Sequence, residues 1–182
     1  MGAVRRETLK VSMKNFGDTK YHLWLEPEKP NFPILAKNVI AELDQVGAEF
    51  CLFNRRSMDS YPPEQMYYYS FCRAVATQLV GYDLDYGFGP MIITKASAPF
   101  FFNYGGEYGD LWDAILIPRL RIIRSNLSYV VKTVDFVNDQ RMTAIESGNQ
   151  EMILKRVEQL QNVVPSLITE WQRLSTSDGV LS

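Results

Sequence analysis

The chain has 182 residues and a net charge of −2, and it is 46% hydrophobic and 13% aromatic. This composition is too apolar and too aromatic for a disordered protein, and the length suits one domain with a core of its own. The near-neutral charge lacks the basic excess of a typical duplex-DNA-binding protein. We therefore expect a single globular domain over residues 1–182.

Cysteine content and apolar stretches bear on the compartment. Cys51 and Cys72 are too few for a disulfide framework, and we expect both to be reduced, buried thiols. The basic residues Arg5 and Arg6 are not followed by the apolar segment of a secretion signal. No window approaches the roughly 18 apolar residues of a transmembrane helix. We expect a protein that is cytoplasmic, or within a particle assembled there, and not secreted.

The N-terminal third shows strand and helix signals in turn. Alternating apolar residues predict a β-hairpin with strands at about 8–14 and 19–26. Asn31 and Pro33 are typical of a helix start, so a helix is predicted at about 32–47. The short apolar run that follows, 50–53, predicts a buried strand.

The middle of the chain is rich in aromatic residues. A second helix is predicted to start at Ser60, and it is apolar or aromatic nearly all round, as is typical of a helix buried on several sides or in a subunit contact. It ends at the first of two loops rich in glycine and tyrosine, 81–90 and 103–110. Between these loops, the apolar runs 91–94 and 100–102 predict two short strands.

The most regular pattern is a pair of heptad seams in the C-terminal part. Apolar residues recur at spacings of four and three over 116–137 and again over 153–174. We predict two long helices, at about 111–141 and 149–175, folded back on each other as an antiparallel hairpin.

The predicted fold class is α-rich α+β. It combines a four-helix bundle-like body with a long C-terminal antiparallel helical hairpin and a small antiparallel sheet. Within the single domain we distinguish a mixed α/β part at 8–110, the helical hairpin at 111–175 and a frayed tail at 176–182. Pro118 is expected in the first turn of a helix, whereas Pro165 is expected to kink its helix.

The sequence lacks the motifs of the common catalytic sites. Its one histidine, His22, lies in a predicted strand, and no Gly-x-Ser-x-Gly, P-loop or zinc-ligand spacing accompanies it. We therefore expect no catalytic residue and no cofactor. A non-enzymatic protein is favoured, and an enzyme is kept as an alternative.

Aromatic side chains concentrate on the second predicted helix and in the two loops. Large rings on adaptable backbone are typical of contact surfaces, and interfaces favour Tyr, Phe, Met and Arg. Alternatively, the same rings cover the protein's own core. The predicted interface residues are Tyr67, Tyr68, Phe71, Tyr82, Tyr86, Phe88, Tyr104 and Tyr108.

An alternative metal site involves the carboxylates of the two loops. Asp83 and Asp85, with Glu107 from the second loop, could hold a divalent cation, because hard cations bind clustered carboxylates. Aspartate is also simply a good turn residue beside glycine, which is the structural alternative.

Nucleic acid is an alternative partner. Arginine pairs well with phosphate, and the candidates are Arg55, Arg56, Arg121 and Arg124. These arginines do not form a clean basic stripe, so they are equally compatible with ordinary surface charge.

Taken together, these patterns favour a self-associating structural or scaffolding subunit of a larger assembly. A viral or phage structural protein, or a small subunit of a multi-protein complex, would have this composition. Its partners would be proteins, including copies of itself, and not a membrane. The first alternative is a helical coat-type RNA-binding protein. The second is a small ligand- or metal-binding enzyme domain with a pocket between the two glycine–tyrosine loops.

Overall fold

The computed structural model describes residues 2–178, which form seven helices and four strands. The helices are α1 (Gly2–Asn15), α2 (Phe32–Val46), α3 (Pro63–Val80), α4 (Ala98–Phe102), α5 (Asp113–Ile123), α6 (Gln140–Glu146) and α7 (Gln150–Asp178). The strands are β1 (His22–Trp24), β2 (Phe50–Arg55), β3 (Met91–Ile93) and β4 (Tyr129–Val134). The predicted α-rich α+β class is confirmed.

The four strands form one sheet in the order β1-β3-β2-β4. Both β1 and β2 are antiparallel to β3, whereas β4 is parallel to β2, with Phe50 opposite Tyr129 and Arg55 opposite Val134. The sheet is therefore mixed, and the prediction of a purely antiparallel sheet is wrong. Helices lie between β2 and β4 in the chain, and such a long crossover is what a parallel pair requires.

Side chains of β2 alternate between two cores. Phe50 and Leu52 pack into a core shared with α1, α3, α4, α5 and α7. Cys51 and Phe53 pack on the other face, against residues of α2 such as Phe32. Because successive strand residues point to opposite faces, a strand buried on both faces is mostly apolar, as the first four residues of β2 are. The result is a three-layer arrangement with α2 on one face of the sheet and most of the other helices on the opposite face.

Local signals located several elements correctly. Helices α2 and α3 end where glycine was expected to end them, at Gly47 and Gly81. Both glycines have positive φ angles, 64° and 85°, a conformation that a side chain disfavours. Strand β3 also lies within its predicted segment, whereas β2 begins where predicted and continues two residues further, to Arg55.

The predicted N-terminal hairpin is wrong in its first strand, because residues 2–15 are helical. Leu9 is buried but Val11 is 46% exposed, so the alternation of apolar residues does not mark one buried face. The helix start is held by Asp110, whose carbonyl oxygen accepts from the backbone N–H of Gly2 at 2.8 Å and whose carboxylate accepts from that of Ala3 at 3.0 Å. Negative charge there stabilises the helix N-terminus.

The predicted helical hairpin is also wrong. The segment 111–141 contains the short helix α5, strand β4 and the start of α6, and the heptad spacing continues through β4 by coincidence. That strand contains Val130, Val131, Thr133 and Val134, and such β-branched residues favour a strand.

The expected position of Pro118 and the predicted strand at 100–102 differ from the structure. Pro118 is the sixth residue of α5, so it lies inside that helix and not in its first turn. Pro99 lies in the first turn of α4, a position proline tolerates, so the segment 100–102 ends a short helix and is not a strand.

The long C-terminal helix is confirmed as α7, and Pro165 lies within it. This helix continues to Asp178, and residues 179–182 of the predicted frayed tail lie outside the described part of the chain. Both cysteines are free and buried, as predicted. Over residues 2–178, no helix combines the length and the apolar character needed to cross a membrane.

Candidate functional site

A buried arginine ties the end of β2 to the first glycine-rich loop. The Arg55 side chain is completely buried, and its Nε and Nη2 donate to the Asp85 carboxylate at 2.6 and 2.8 Å. Its guanidinium carbon lies 4.0 Å from the centre of the Tyr69 ring and 4.8 Å from those of Tyr61 and Phe88. Burial lowers the pKa of Arg55, but the hydrogen bonds and charge of Asp85 raise it to above its ordinary value. These contacts hold the first glycine-rich loop against the end of β2.

The structure contradicts the predicted metal site. Asp85 binds Arg55, and the carboxylate of Asp83 binds Arg73. Glu107 pairs with Arg121 at 3.1 Å. Among the described side chains, no three His, Cys, Asp or Glu residues are grouped so that they could hold a metal ion. Each candidate carboxylate instead neutralises an arginine, and that pairing was not visible from the spacing of the aspartates.

The predicted nucleic-acid residues are also engaged within the chain. Arg55 is buried, and Arg56 on the surface donates to Asp135 at 2.6 Å. Arg121 binds Glu170 at 2.7 Å, and Arg124 stacks over Trp171 with 4.9 Å between guanidinium carbon and ring centre. The four arginines therefore do not form one basic surface for phosphate groups.

The eight predicted interface aromatics separate into three groups. Tyr68, Tyr86, Phe88 and Tyr104 are at most 6% exposed, so in this fold they belong to the core and present no surface to a partner. Tyr82 and Tyr108 are half-buried, and their hydroxyls bond to Tyr129 and Glu170. Only Tyr67 and Phe71, at 68% and 52%, are largely exposed.

The predicted pocket between the two glycine–tyrosine loops is likewise not formed by both of them. Gly87 and Gly89 of the first loop line a cleft with Arg119 and Arg156. Tyr108 of the second loop lines a separate, open depression beside α7. The two loops therefore line two separate depressions and do not enclose one pocket between them.

Helices α3 and α7 run side by side in the same direction. The carboxylate of Glu64, in the first turn of α3, accepts from the backbone N–H of Gly148, just before α7 begins. One turn further along α3 and about two turns further along α7, the guanidinium of Arg156 lies over the rings of Tyr68 and Tyr69, at 5.5 and 5.8 Å. The two helices thus start at the same end and form a parallel pair.

This pair leaves an apolar surface uncovered. At 100° per residue, Tyr67 and Phe71 lie to one side of the buried face of α3, and Ile153 and Val157 lie to one side of the buried face of α7. In a parallel pair these two sides point the same way. Tyr67, Phe71, Ile153 and Val157 are 68%, 52%, 40% and 46% exposed, and we refer to these four residues as the α3–α7 face.

Charged side chains are few around this face. Glu64, one turn before Tyr67 on the same side of α3, binds the backbone N–H of Gly148. Between Tyr67 and Gln78, the one charged residue of α3 is Arg73, which points away and binds Asp83. On α7, the residues that share the helical side of Ile153 and Val157 are likewise uncharged. An exposed helix side normally carries charged residues, so their scarcity here is informative.

The sequence alone did not identify the α7 half of this face. Ile153 and Val157 were assigned to an internal heptad seam, because the spacing does not tell a covered seam from an exposed one. Comparison of the chain with protein-family models, curated proteins and solved structures finds no match in any of the three. Function therefore has to be inferred from the surfaces themselves.

Proposed function

We propose that this protein is a non-enzymatic structural subunit that self-associates through the α3–α7 face. The single observation behind the proposal is the exposure of Tyr67 and Phe71, one turn apart on α3, beside exposed aliphatic residues of α7. Interfaces are enriched in Tyr and Phe and depleted of charge at their centre, and this face has both properties.

A second copy of the same chain is the occupant that this chemistry favours. In a two-fold contact the same patch meets itself, so a patch with net charge would repel its own copy. The α3–α7 face is uncharged and needs no complementary charge on its partner. Assembly into a larger particle or multi-protein complex would add contacts elsewhere on the chain.

Solution mass tests the proposal directly. Light scattering after size exclusion should give twice the 20.9 kDa chain mass, with dissociation on dilution if the dimer is weak. The double variant Tyr67→Ser/Phe71→Ser should be monomeric, because both rings are lost from the contact. Both side chains are largely exposed, so the variant should retain the circular dichroism and melting temperature of the wild type.

The matched control is Ile34→Ser on α2. Ile34 is 68% exposed, but α2 covers the opposite face of the sheet. This variant should keep the wild-type mass. A wild-type chain that stays monomeric up to near-millimolar concentration would refute the proposal. So would a double variant that keeps the oligomeric mass of the wild type.

A further inference from the structure

A cleft between α3, α5 and α7 contains two arginines without an acidic partner. Arg119 of α5 and Arg156 of α7 both line it, together with Tyr68, Tyr69 and residues that follow β1. Among the side chains that the structure describes, no carboxylate forms an ion pair with Arg119 or Arg156. We call this site the arginine cleft.

Arg119 is completely buried and is held by neutral groups alone. Its Nη1 donates to the carbonyl oxygen of Phe88 at 2.9 Å and to that of Tyr86 at 3.3 Å, and its Nη2 donates to the carbonyl of Gly89. Its Nε has no hydrogen-bond partner. Burial lowers the pKa of Arg119 to about 10, although the charges of nearby groups including Glu26 and Asp85 raise it in part.

Arg156 is positioned in a similar way. Its guanidinium stacks over Tyr68 and Tyr69, and its Nη1 donates to the side-chain oxygen of Gln159 at 2.7 Å. The Nε of Arg156 also lacks a partner. Stacking on aromatic rings leaves the edge of a guanidinium free for a planar or tetrahedral anion.

The cleft is also lined by three carboxylates and two lysines. Glu26 lies 3.1 Å from the ammonium of the buried Lys29, and Glu28 lies 4.0 Å from the same ammonium. Glu146 accepts from the neutral side-chain amide of Gln65 and so keeps its negative charge. Four basic side chains therefore face three acidic ones, and the formal charge of the lining is positive by one, with the basic residues being Lys29, Arg119, Lys155 and Arg156.

The open space suits a small ligand. The cleft contains about 90 Å³ of open space, which is enough for several water molecules. A carboxylate or a phosphate group fits this space. We propose that the arginine cleft binds a small oxyanion, either a carboxylate or a phosphate group, between the guanidinium groups of Arg119 and Arg156.

The test uses inorganic phosphate and acetate as separate probes, with sodium chloride balancing the ionic strength. A ligand that binds only the folded chain raises its melting temperature in a saturable way. We expect such a rise with at least one probe, and the probe that gives it identifies the oxyanion. In ¹H–¹⁵N spectra, the Nε–H signals of Arg119 and Arg156 should move on titration. If neither probe stabilises the chain beyond chloride, the proposal is overturned.

Variants assign the binding to the cleft. Arg156→Gln should raise the dissociation constant for the anion about tenfold or more, because a charge-assisted hydrogen bond is lost. Arg156 lies at the edge of the core, so this variant should fold even if changes at the buried Arg119 do not. The matched control is Arg141→Gln, whose side chain is 89% exposed on α6 and away from the cleft. An Arg156→Gln variant that binds as tightly as the wild type would overturn the proposal, as would equal weakening in both variants.

Discussion

Replacing Asp85 by Asn should destabilise the fold strongly, because it leaves the buried charge of Arg55 without a counter-ion. The Asp85 carboxylate accepts from Arg55 Nε at 2.6 Å, from Nη2 at 2.8 Å and from the backbone N–H of Arg55 at 3.2 Å. Both side chains are fully buried, so water cannot replace these contacts. Breaking a buried pair by removing one partner costs about 3–5 kcal/mol. Total stabilities are about 5–15 kcal/mol, so the loss is a large fraction of the whole.

Chemical denaturation measures this loss. Urea unfolding followed by circular dichroism gives the free energy of unfolding by linear extrapolation. Asp135→Asn is the matched control, because Asp135 pairs with the neighbouring Arg56 on the surface at the same 2.6 Å, where the two side chains are 72% and 65% exposed. Exposed pairs contribute about 0–1 kcal/mol, so the control should stay close to the wild type.

A double variant measures the interaction between Arg55 and Asp85 apart from their other contacts. Arg55→Met/Asp85→Leu removes both charges, so it should cost less than the sum of the two single changes. A loss below about 1 kcal/mol for Asp85→Asn, or additive effects in the double variant, would refute the assignment of Arg55 and Asp85 as a tightly coupled pair.

Two further predictions concern protonation. Burial raises the pKa of Glu170. Hydrogen bonds from arginines including Arg121 and from Tyr108 outweigh this effect and lower the pKa to about 2, from an ordinary value of 4.5. The ionised carboxylate therefore stabilises the fold above the unfolded-state pKa, and this stabilisation is lost as the pH falls towards 2. Glu170→Gln removes the titrating group, so it should flatten the pH dependence of the unfolding free energy between about pH 4.5 and pH 2. An unchanged slope would contradict this. Burial raises the pKa values of Cys51 and Cys72 to about 12, so at pH 8 neither should react with a thiol reagent until the chain is unfolded. Rapid labelling of the native protein would contradict it.

The elements that sequence predicted best are those with local start and stop signals. Asn31 and Pro33 mark the start of α2, and Gly47 marks its end, each within one residue of the helix terminus that it marks. No distant contact is needed to interpret them. The same holds for α3 and Gly81, where the backbone conformation of one residue ends the helix.

Elements that depend on distant partners were predicted poorly. The helical start of the chain is stabilised by Asp110, more than a hundred residues away, so its own alternating pattern was misleading. Strand β4 pairs with β2, about 80 residues earlier by register, and a heptad count takes no account of that pairing. Its β-branched residues were the local sign that a helix would not continue.

The buried arginines illustrate the same limit at the level of sites. Arg55 and Asp85 are 30 residues apart, and Arg119 finds its carbonyl partners about 30 residues earlier. One signal was present: Arg119 interrupts a stretch from Ala114 to Leu120 that is otherwise apolar, and every residue of that stretch is buried. An arginine in such a setting indicates either a structural anchor or a binding site, and distinguishing them requires knowing its partners.

The two proposals of self-association and anion binding use different side chains of one helix. Tyr68 and Tyr69 line the arginine cleft, and Phe71 belongs to the α3–α7 face. At 100° per residue, Tyr69 lies about 160° around the axis of α3 from Phe71, and Tyr68 lies about 60° from it, so the two sites occupy adjacent sides of the helix. Removing the rings of the face should therefore leave phosphate or acetate binding unchanged, and Arg156→Gln should leave the oligomeric mass unchanged. If one variant altered both properties, the two sites would be coupled through α3, and a dimer contact would then act on the cleft through the packing of Tyr68 and Tyr69.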